Sequence, residues 1–446
     1  IENLTRTMHP SDKKGAVIRP NVQWGEQSKQ TRTAPVWNPQ RRIFQFWDLF
    51  GNNSPLSDVS GYYESKDGLH WFKPAIGQIE FRGSKENNYI AIPLGGGRRT
   101  RPGCVVYDPT DPDPSRRYKG FGHGGGGKVV LGVSPDGVNW KPFGVTISSA
   151  DEYNFNFDPV EHLFIVTLRH NGGPYGRAVD LATSKDFENW THHGLMFHAD
   201  KLDQELGRKN MEARLADPTL SRATGPINPA KCMVDVYNMG VSRYEGLYIG
   251  FPAMFHRTGN DYGFHLVQLV CSRDMKTWKR LGDRKTFIGP SRMGSGAYDL
   301  TQLIGPSRAV VRGDELWFYY TGLKYRDTPE GADLDQSAIC LAVLRRDGFI
   351  SLDAGEQEGT IVTKPFTVPA DNLFVNVDAR KESGGEFQVE VLDQADEVVA
   401  RSIPLHGDLV REPVKWQEGD LAQLKGRPAS LRFRLRNGQL YSFWIE

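Results

Sequence analysis

The sequence has 446 residues, of which 38% are hydrophobic, and its 55 lysines and arginines balance 54 aspartates and glutamates to a formal net charge of +1. A balance this even provides no electrostatic attraction to nucleic acids or anionic membranes, and no apolar stretch approaches the ~20 residues of a membrane-spanning helix. We therefore expect neither nucleic acid nor a membrane as a partner. The 48 glycines and 27 prolines are typical of an all-β protein with many turns.

The four cysteines lie far apart and form no Cys-x-x-Cys or Cys/His cluster. Structural zinc sites need such spacings, so no cofactor is predicted to be required, although a divalent cation at the functional site stays open. The chain begins at Ile1 rather than at Met. A trimmed sequence or a cleaved leader would explain this start, although no leader is visible, and we expect a secreted or periplasmic bacterial protein.

One seven-residue phrase, Ser-x-Asp-x-x-x-Trp, occurs four times along the chain. The copies are Ser65–Trp71, Ser134–Trp140, Ser184–Trp190 and Ser272–Trp278, and Arg345–Ile350 is interpreted as a degraded fifth copy. The Ser and Asp side chains of such a phrase can accept hydrogen bonds from backbone N–H groups in a turn. The Trp is the first residue of the next strand and packs into the core. The phrase therefore predicts a hairpin between the two outer strands of a small antiparallel sheet.

Repetition of the hairpin predicts repetition of the sheet. A propeller blade of four strands takes roughly 40–50 residues, and the copies are spaced as blades with insertions would be. Five hairpins thus predict a five-bladed β-propeller. A long β-sandwich with coincidental turns is the alternative fold.

In chain order, residues 1–31 are polar and irregular, which predicts an N-terminal arm along a face or edge of the propeller. Residues 32–355 are predicted to form the five blades. A segment before the fourth blade could be helical, from Asp200 to Leu215. Residues 360–446 lack the phrase and alternate apolar with polar side chains, which predicts an appended β-sandwich. The predicted fold class is all-β: a five-bladed β-propeller followed by a C-terminal β-sandwich.

The innermost strands of a propeller converge on one axial mouth, so a site there combines equivalent positions of different blades. Four acids lie at the starts of the first strands of the third to fifth blades and are predicted to be catalytic: Asp151, Glu152, Asp235 and Asp299. Further residues near the same strand ends are predicted to bind substrate: Arg32, Asp48, Arg101, His123, Arg169, His170, Tyr237, Asn238, His256, His265, Gln302 and Tyr325.

Converging carboxylates suit the cleavage of a glycosidic bond, which predicts a carbohydrate substrate. One protonated acid delivers a proton to the leaving oxygen, and a second, ionised acid acts as nucleophile or activates water. Crowded like charges raise one pKa while a nearby arginine lowers another, so that the two roles separate. An acid that only caps a loop or binds an arginine at the rim is the structural alternative for each residue.

The hairpins, the blade number and the C-terminal sandwich resemble the five-bladed propeller glycoside hydrolases of families 32, 43, 68 and 117, and the hairpins also resemble the Asp boxes of sialidases. The resemblance covers nearly the whole chain at the level of architecture. The catalytic motifs differ, because Trp37-Asn38-Pro39 lacks the acid of family 32, and Arg32-Thr33 replaces the Asp of family 43. The resemblance therefore implies an atypical branch of carbohydrate-active propellers.

The leading hypothesis is an exo-acting glycoside hydrolase for plant or algal poly- or oligosaccharides. A non-catalytic glycan-binding propeller is the second, in which the acids would lie too far apart or be neutralised by arginines. The third is a sialidase-like or lyase activity on acidic sugars, whose carboxylate Arg32, Arg101 and Arg169 could bind. The sugar, the stereochemical outcome and the oligomeric state stay open at this stage.

Overall fold

The structure is a computed structural model that describes residues 1–24, 26–51, 54–149, 151–170, 173–221, 227–259, 262–325 and 335–446. The chain forms two compact units. The propeller unit comprises Ser11–Val310 and Trp317–Val343, and the sandwich unit comprises Ile1–Pro10, Val311–Leu316 and Leu344–Glu446.

The first three sheets of the propeller unit follow one another along the chain. Two strands precede them, β1 (Thr5–Met8) and β2 (Asp12–Ile18). The first sheet contains β3 (Val36–Asn38), β4 (Ile43–Trp47), β5 (Ser60–Ser65) and β6 (Tyr89–Ile90), and the hairpin β7 (Ile92–Gly95) and β8 (Arg98–Thr100) follows it. The second contains β9 (Cys104–Tyr107), β10 (Tyr118–Gly125), β11 (Lys128–Ser134) and β12 (Lys141–Ser148). The third contains β13 (Tyr153–Asp158), β14 (Leu163–His170), β15 (Ala178–Ser184) and β16 (Thr191–Phe197).

A helix, α1 (Lys201–Ala216), separates the third sheet from the fourth. The fourth contains β17 (Cys232–Tyr244), β18 (Leu247–Thr258), β19 (Tyr262–Val267), β20 (Val270–Ser272) and β21 (Lys279–Arg280). The fifth contains β22 (Gln302–Ile304), β23 (Val310–Arg312), β24 (Glu315–Leu323) and β25 (Ser337–Arg345). Its outer strand is β2, which pairs antiparallel with β25. A strand from the start of the chain thus completes the last sheet.

Hydrogen bonds join four of the five neighbouring pairs of sheets in the propeller unit, and ring stacking between Phe121 and Phe155 joins the second sheet to the third. The links run from the first to the second sheet, the third to the fourth, the fourth to the fifth and the fifth back to the first: Thr33 Oγ1 to Val105 O (3.0 Å), Asn156 Nδ2 to Val241 O (2.9 Å), His265 N to Thr301 O (3.0 Å) and Thr31 N to Thr321 Oγ1 (2.8 Å). Apolar clusters fill the spaces between neighbouring sheets, as with Phe121 and Phe155, whose rings stack at 4.2 Å. The five sheets therefore form a closed ring of blades.

The repeated phrase forms the turn that its residue types predict. In the second sheet, Asp136 Oδ1 accepts the backbone N–H groups of Val138 (2.9 Å) and Asn139 (2.8 Å), and Trp140 Nε1 donates to Gly137 O (3.0 Å). The turn joins β11 to β12, the two outer strands of that sheet. The degraded fifth copy differs, because it leads from β25 into β26 (Ile350–Ala354), a strand of the sandwich unit.

Helix α1 packs against the start of β17 and fixes its backbone. Asp200 caps the helix by accepting from Asp203 N, and Arg284 binds the Asp200 carboxylate at 2.7 and 2.8 Å. On the next turn, Gln204 donates to Val234 O (2.7 Å) and accepts from Val234 N (2.8 Å). The Gln204 side chain therefore hydrogen bonds both backbone groups of Val234, the residue before Asp235, as a neighbouring strand would.

The sandwich unit consists of two sheets that enclose an apolar core. Its remaining strands are β27 (Gly359–Val362), β28 (Phe366–Thr367), β29 (Leu373–Ala379), β30 (Glu386–Leu392), β31 (Val398–Ser402), β32 (Gly407–Pro413), β33 (Trp416–Glu418), β34 (Pro428–Arg436) and β35 (Gly438–Ile445). One sheet has the order β1-β26-β35-β29-β32 and the other β27-β34-β30-β31-β33, with β28 beside β34. Alternate residues of these strands, such as Val375, Val377, Val389 and Val391, fill the core.

The predicted fold class is confirmed, and so is the predicted helix, which runs from Lys201 to Ala216 behind its cap Asp200. The segment 1–31, predicted as an irregular arm, contains one strand of each unit, β1 and β2. The sandwich unit likewise includes residues before 360, because β26 belongs to its first sheet. Within the described residues, no helix has the length and apolar character needed to cross a membrane.

Candidate active site

A cavity of about 130 Å³ lies where the first strands of four sheets begin. Its lining consists of Gln30, Arg32, Leu49, Phe50, Arg101, Asp151, Glu152, Tyr153 and Tyr237. Three neighbouring strands meet here, because Cys104 Sγ lies 3.3 Å from Arg32 O and 3.7 Å from Tyr153 O. Five of the residues predicted from blade register line this axial cavity: Arg32, Arg101, Asp151, Glu152 and Tyr237.

Glu152 forms a buried ion pair with Arg32 across the cavity. Arg32 Nε lies 2.5 Å from Glu152 Oε2, and Nη2 lies 2.6 Å from Oε1. Burial works to lower the pKa of Arg32, but the charge and hydrogen bonds of Glu152 outweigh it and raise that pKa. Because both Glu152 oxygens are occupied by one guanidinium, the pair suits a rigid wall better than a proton donor.

Asp151 presents its carboxylate to solvent at the same cavity. Its Oδ2 lies 2.6 Å from Arg169 Nη1 and 3.7 Å from Arg177 Nη1, and its side chain is 44% exposed. Two arginine side chains therefore orient the Asp151 carboxylate at the cavity and leave it accessible, as a carboxylate that acts as a base or a nucleophile must be.

Asp235 lies on β17 with its side chain only 2% exposed. Its Oδ2 accepts from Arg257 Nε at 2.8 Å and from the backbone N–H of Arg177 at 3.3 Å. Among the residues that the structure describes, no group hydrogen bonds to Oδ1, which is also buried. Burial raises the pKa of the Asp235 carboxyl, and Arg257 opposes that shift only in part. This acid can hold a proton at a pH where ordinary aspartates are ionised.

One loop connects the two acids. Gly176 has a φ of +66° and lies so close to Asp235 that an added Cβ would stand 3.1 Å from Oδ2, so glycine is needed there. The next residue, Arg177, donates its backbone N–H to Asp235 and directs its guanidinium towards Asp151, 4.9 Å above the ring centre of Tyr237. About one arginine side chain therefore separates the two carboxyl groups.

Asp299, the fourth predicted acid, lies outside the residues that line this cavity, as Asp235 also does. It precedes β22, and its side chain is 3% exposed. Lys13 Nζ donates to its Oδ2 at 3.1 Å, and the Tyr320 hydroxyl donates to the same oxygen at 2.8 Å. These contacts tie β2, which completes the fifth sheet, to the start of that sheet's first strand.

Three further predicted residues also lie outside the cavity lining. Asp48 is buried, accepts from the backbone of Gly61 (2.7 Å) and from the Tyr63 hydroxyl (2.7 Å), and forms an ion pair with Lys29, whose Nζ lies 2.8 Å from its Oδ2. Gln302 is buried on β22, and Tyr325 is half-buried beyond β24. Burial with complete polar contacts makes Asp48 part of the core of the first sheet.

The histidines occupy four different environments. His123 is exposed on β10, and burial, then Arg101, lowers its pKa. His170 Nδ1 bonds Asp180 Oδ1 at 2.8 Å on the neighbouring strand. His265 is buried, donates from Nδ1 to Leu303 O at 2.9 Å and packs 4.6 Å from the Tyr237 ring.

Asn238, the residue after Tyr237, lines a second, smaller cavity with Arg169.

His256 faces away from the cavity. It accepts from Asn210 Nδ2 of α1 at 3.0 Å, donates to Met254 O at 3.1 Å and stacks on Phe264 with ring centres 4.9 Å apart. Burial lowers its pKa to about 4, so it is neutral at physiological pH. It is therefore a hydrogen-bonded core histidine.

Sequence reasoning missed Arg177 and Arg257, the two arginines around Asp235. Side chains alternate along a strand, and Asp235 pairs with Phe255, so the diagonal neighbour on its face is Arg257 rather than His256. Arg257 lies two residues after Phe255 on the partner strand, so this alternation would have identified it as the neighbour of Asp235. Arg177 has no such signal, because it reaches Asp235 through its backbone on a turn.

No described set of three or more His, Cys, Asp and Glu side chains is arranged to hold a metal ion. No protein-family profile matches the chain, and no curated protein does.

Solved structures do match, at low identity. The catalytic domain of the α-L-arabinofuranosidase from Coprinopsis cinerea is 12% identical over 75% of this chain and 97% of its own, with a TM-score of 0.46. The α-L-arabinanase of Penicillium chrysogenum with arabinobiose is 13% identical over 76% and 98%, with a TM-score of 0.42. An N-acetylgalactosamine deacetylase from F. plautii, with blood group B trisaccharide, is 13% identical over 77% and 96%, with a TM-score of 0.43.

Proposed function

We propose that this protein is a glycoside hydrolase whose axial cavity binds a sugar between Asp235, the proton donor, and Asp151, the ionised carboxylate. The observation that carries the proposal is the pairing of one buried and one accessible acid around Arg177. Glycosidases need two carboxyl groups in unlike environments on opposite sides of the scissile bond. Tyr153 and Tyr237 in the cavity lining offer aromatic surface for the sugar ring.

The reaction balances with these two groups. The proton of Asp235 passes to the glycosidic oxygen as the bond from that oxygen to the anomeric carbon breaks. Asp151 either attacks the anomeric carbon, after which water releases the sugar, or takes a proton from the water that attacks directly. In both cases one water is consumed and Asp235 is protonated again at the end of the cycle.

The size of the cavity supports action at chain ends. Its volume of about 130 Å³ is well below the ~300–1,000 Å³ of sites that enclose a drug-sized ligand. It suits one terminal sugar unit, so the proposal includes exo-action on a poly- or oligosaccharide. A plant or algal polysaccharide and a secreted or periplasmic location are part of the same proposal, and both stand on the sequence alone.

A second candidate function is glycan binding without cleavage. It is favoured by a specific observation, namely that every predicted catalytic acid has a cationic partner: Asp151 with Arg169, Glu152 with Arg32, Asp235 with Arg257, and Asp299 with Lys13. Acids held in ion pairs can shape a binding pocket without any proton transfer or nucleophilic attack.

Product analysis separates the two functions. The wild-type protein and Asp235→Asn are incubated with a panel of arabinan, galactan and uronic-acid oligosaccharides, and released sugars are measured by chromatography. Hydrolysis predicts a released monosaccharide that the variant fails to produce. Retention of a glycan on the wild-type protein without any released sugar would establish the binding function and reject hydrolysis.

A further inference from the structure

We propose that the second, smaller cavity of the propeller unit is a binding site for one water molecule, and that this water holds Arg169 in place on Asp151. Asn154 and Asn238 bind the water through their side-chain amides. The presence of the water depends only on the geometry of the cavity, whereas its effect on the rate rests on the proposed function.

The second cavity lies next to the axial cavity, because Glu152, Tyr153 and Tyr237 line both of them. It has a volume of about 10 Å³ for the centre of a water molecule, which is about the smallest space that holds one water. Its size therefore excludes a sugar and suits a single small molecule or ion.

Two asparagine amides in the lining of this cavity are buried without partners. Asn154 on β13 is 1% exposed and Asn238 on β17 is 4% exposed. Among the residues that the structure describes, no group hydrogen bonds to the Oδ1 or the Nδ2 of either side chain. Buried amides almost always have partners, because a polar atom without one loses the hydrogen bonds that it had in water. Four such atoms around one cavity therefore indicate a bound polar molecule.

A β-bulge brings Asn238 to this cavity. Between Val236 and Met239, the register of β17 against β18 shifts by one residue, so that Tyr237 and Asn238 together oppose a single residue of β18. Regular alternation would direct neighbouring side chains to opposite faces of the sheet, whereas these two line the same small cavity. Bulges often redirect side chains in this way beside active sites.

Arg169 connects the second cavity to the proposed active site. Its Nη1 lies 2.6 Å from Asp151 Oδ2, while its Nε is buried and accepts no partner among the described groups. Arg169 also lines the second cavity. A water that accepts from Nε holds one end of the guanidinium while the other end binds Asp151. Asn154 and Asn238 thus act through Arg169, as positioning residues.

The mixture of donors and acceptors favours water over an ion. The donors are the two Nδ2 groups and Arg169 Nε, and the acceptors are the two Oδ1 atoms. Because a water molecule both donates and accepts, one molecule can bond groups of both kinds. A chloride would leave both oxygens without a partner. A cation would leave the nitrogens without one and lie beside the positive charge of Arg169.

The first test is crystallographic and needs no substrate. Crystals of the wild-type protein are measured at high resolution, and a second set is soaked in sodium bromide and measured at the bromine absorption edge. We expect density for one water about 2.7–3.2 Å from Arg169 Nε and from both amides, with no anomalous peak. A bromide peak would replace the water by an anion and overturn the proposal. A cavity without density would overturn the site altogether.

The second test removes an amide. Asn238→Leu is similar in size but cannot bind the water, whereas Asn238→Ser keeps a hydroxyl and leaves room for a further water. Asn156→Leu is the matched control. Asn156 is also buried on β13, but its Nδ2 donates to Val241 O at 2.9 Å and to Ser307 O at 3.0 Å.

On the substrate found by the panel, Asn238→Leu should lower kcat about 10–100-fold with little change in KM, because Asp151 is displaced relative to the bound sugar. Asn238→Ser should recover most of this loss. Asn156→Leu should unfold at lower urea concentration and keep its kcat. An unchanged kcat in Asn238→Leu, with Arg169 still on Asp151 in its crystal structure, would overturn the positioning role.

The two proposals can fail separately. If no member of the panel is cleaved, the hydrolase is rejected, and the position of Arg169 in crystals of Asn238→Leu decides whether the water holds it. If Asn238→Leu fails to fold, Asn238→Ser and the wild-type density decide. In that case, a second water beside Ser with Arg169 kept on Asp151 supports the proposal, and wild-type crystals without the water reject it.

Discussion

Two acids predicted as equivalents, Asp235 and Asp299, show how different a buried carboxylate can be in neighbouring blades. Neither acid is among the residues that line the axial cavity. Asp235 leaves its Oδ1 without a hydrogen bond from any described group and reaches the cavity only through Arg177, which donates to it and extends towards Asp151. In the Asp299 region, Lys13 and Tyr320 both donate to one carboxylate oxygen, and the site closes a sheet. The contrast teaches that two equally buried acids can differ in how completely their oxygens are hydrogen bonded, and it is this difference that the proposed function uses.

The largest expected effect tests the Asp235 region directly. Asp235→Asn cannot donate a proton, so it should reduce kcat/KM by about 10²–10⁴-fold on the substrate found by the panel. Because the proposed function has Asp235 protonated, the amide removes no negative charge, and it keeps the side-chain size and an oxygen for Arg257, so unfolding in urea should change little. Steady-state kinetics and urea curves measure both quantities. An unaltered kcat/KM would exclude Asp235 as the proton donor.

Replacing Asp299 by Asn should instead lower the stability of the protein and leave its rate nearly unchanged. Asp299→Asn removes the charge that Lys13 and Tyr320 bind, which should lower the free energy of unfolding by about 2–3 kcal/mol. The rate should stay within about twofold of wild type, because the cavity lies elsewhere. Urea unfolding together with kinetics checks this. A rate loss as large as that of Asp235→Asn would return Asp299 to the active site.

A smaller effect comes from His256, on the strand that also carries Arg257. Its pKa of about 4 lies below the ordinary value of 6.5, so the unfolded chain takes up this proton first as pH falls. Its contribution to stability is present above about pH 6.5 and is lost towards pH 4, by about 2 kcal/mol between about pH 7.5 and pH 5. Urea curves of wild type and His256→Gln should differ by this amount in their pH dependence. Parallel curves would show that the histidine is not buried in the neutral form.

The smallest expected effect is a change in the pKa of Asp235 when Arg257 is replaced. Arg257 works against the burial that raises the pKa of Asp235, so Arg257→Gln should raise that pKa further. If protonated Asp235 is required, the alkaline limb of the pH–rate profile should move to higher pH. Arg243→Gln, in the same strand as Asp235 but paired with Asp158, is the control and should leave the limb in place. A limb that moves to lower pH would contradict this assignment.

The local structure of several segments could be predicted from the sequence. The repeated phrase determines its own turn, because Ser and Asp bond backbone groups two and three residues away, as with Asp136 and the N–H groups of Val138 and Asn139. The same holds for helix α1, whose capping residue Asp200 bonds a neighbour in sequence. Alternation of apolar residues likewise identified the strands of the sandwich.

Only the tertiary structure decided which acids lie close together. Asp151 and Asp235 are joined by Arg177 on an irregular turn, and Asp299 is held by Lys13, nearly three hundred residues earlier in the chain. The partners of a carboxylate and its depth of burial set its protonation, and both arise from residues that are distant in sequence. A repeat can therefore position acids at similar ends of strands, while their chemical roles depend on the neighbours that folding brings to each one.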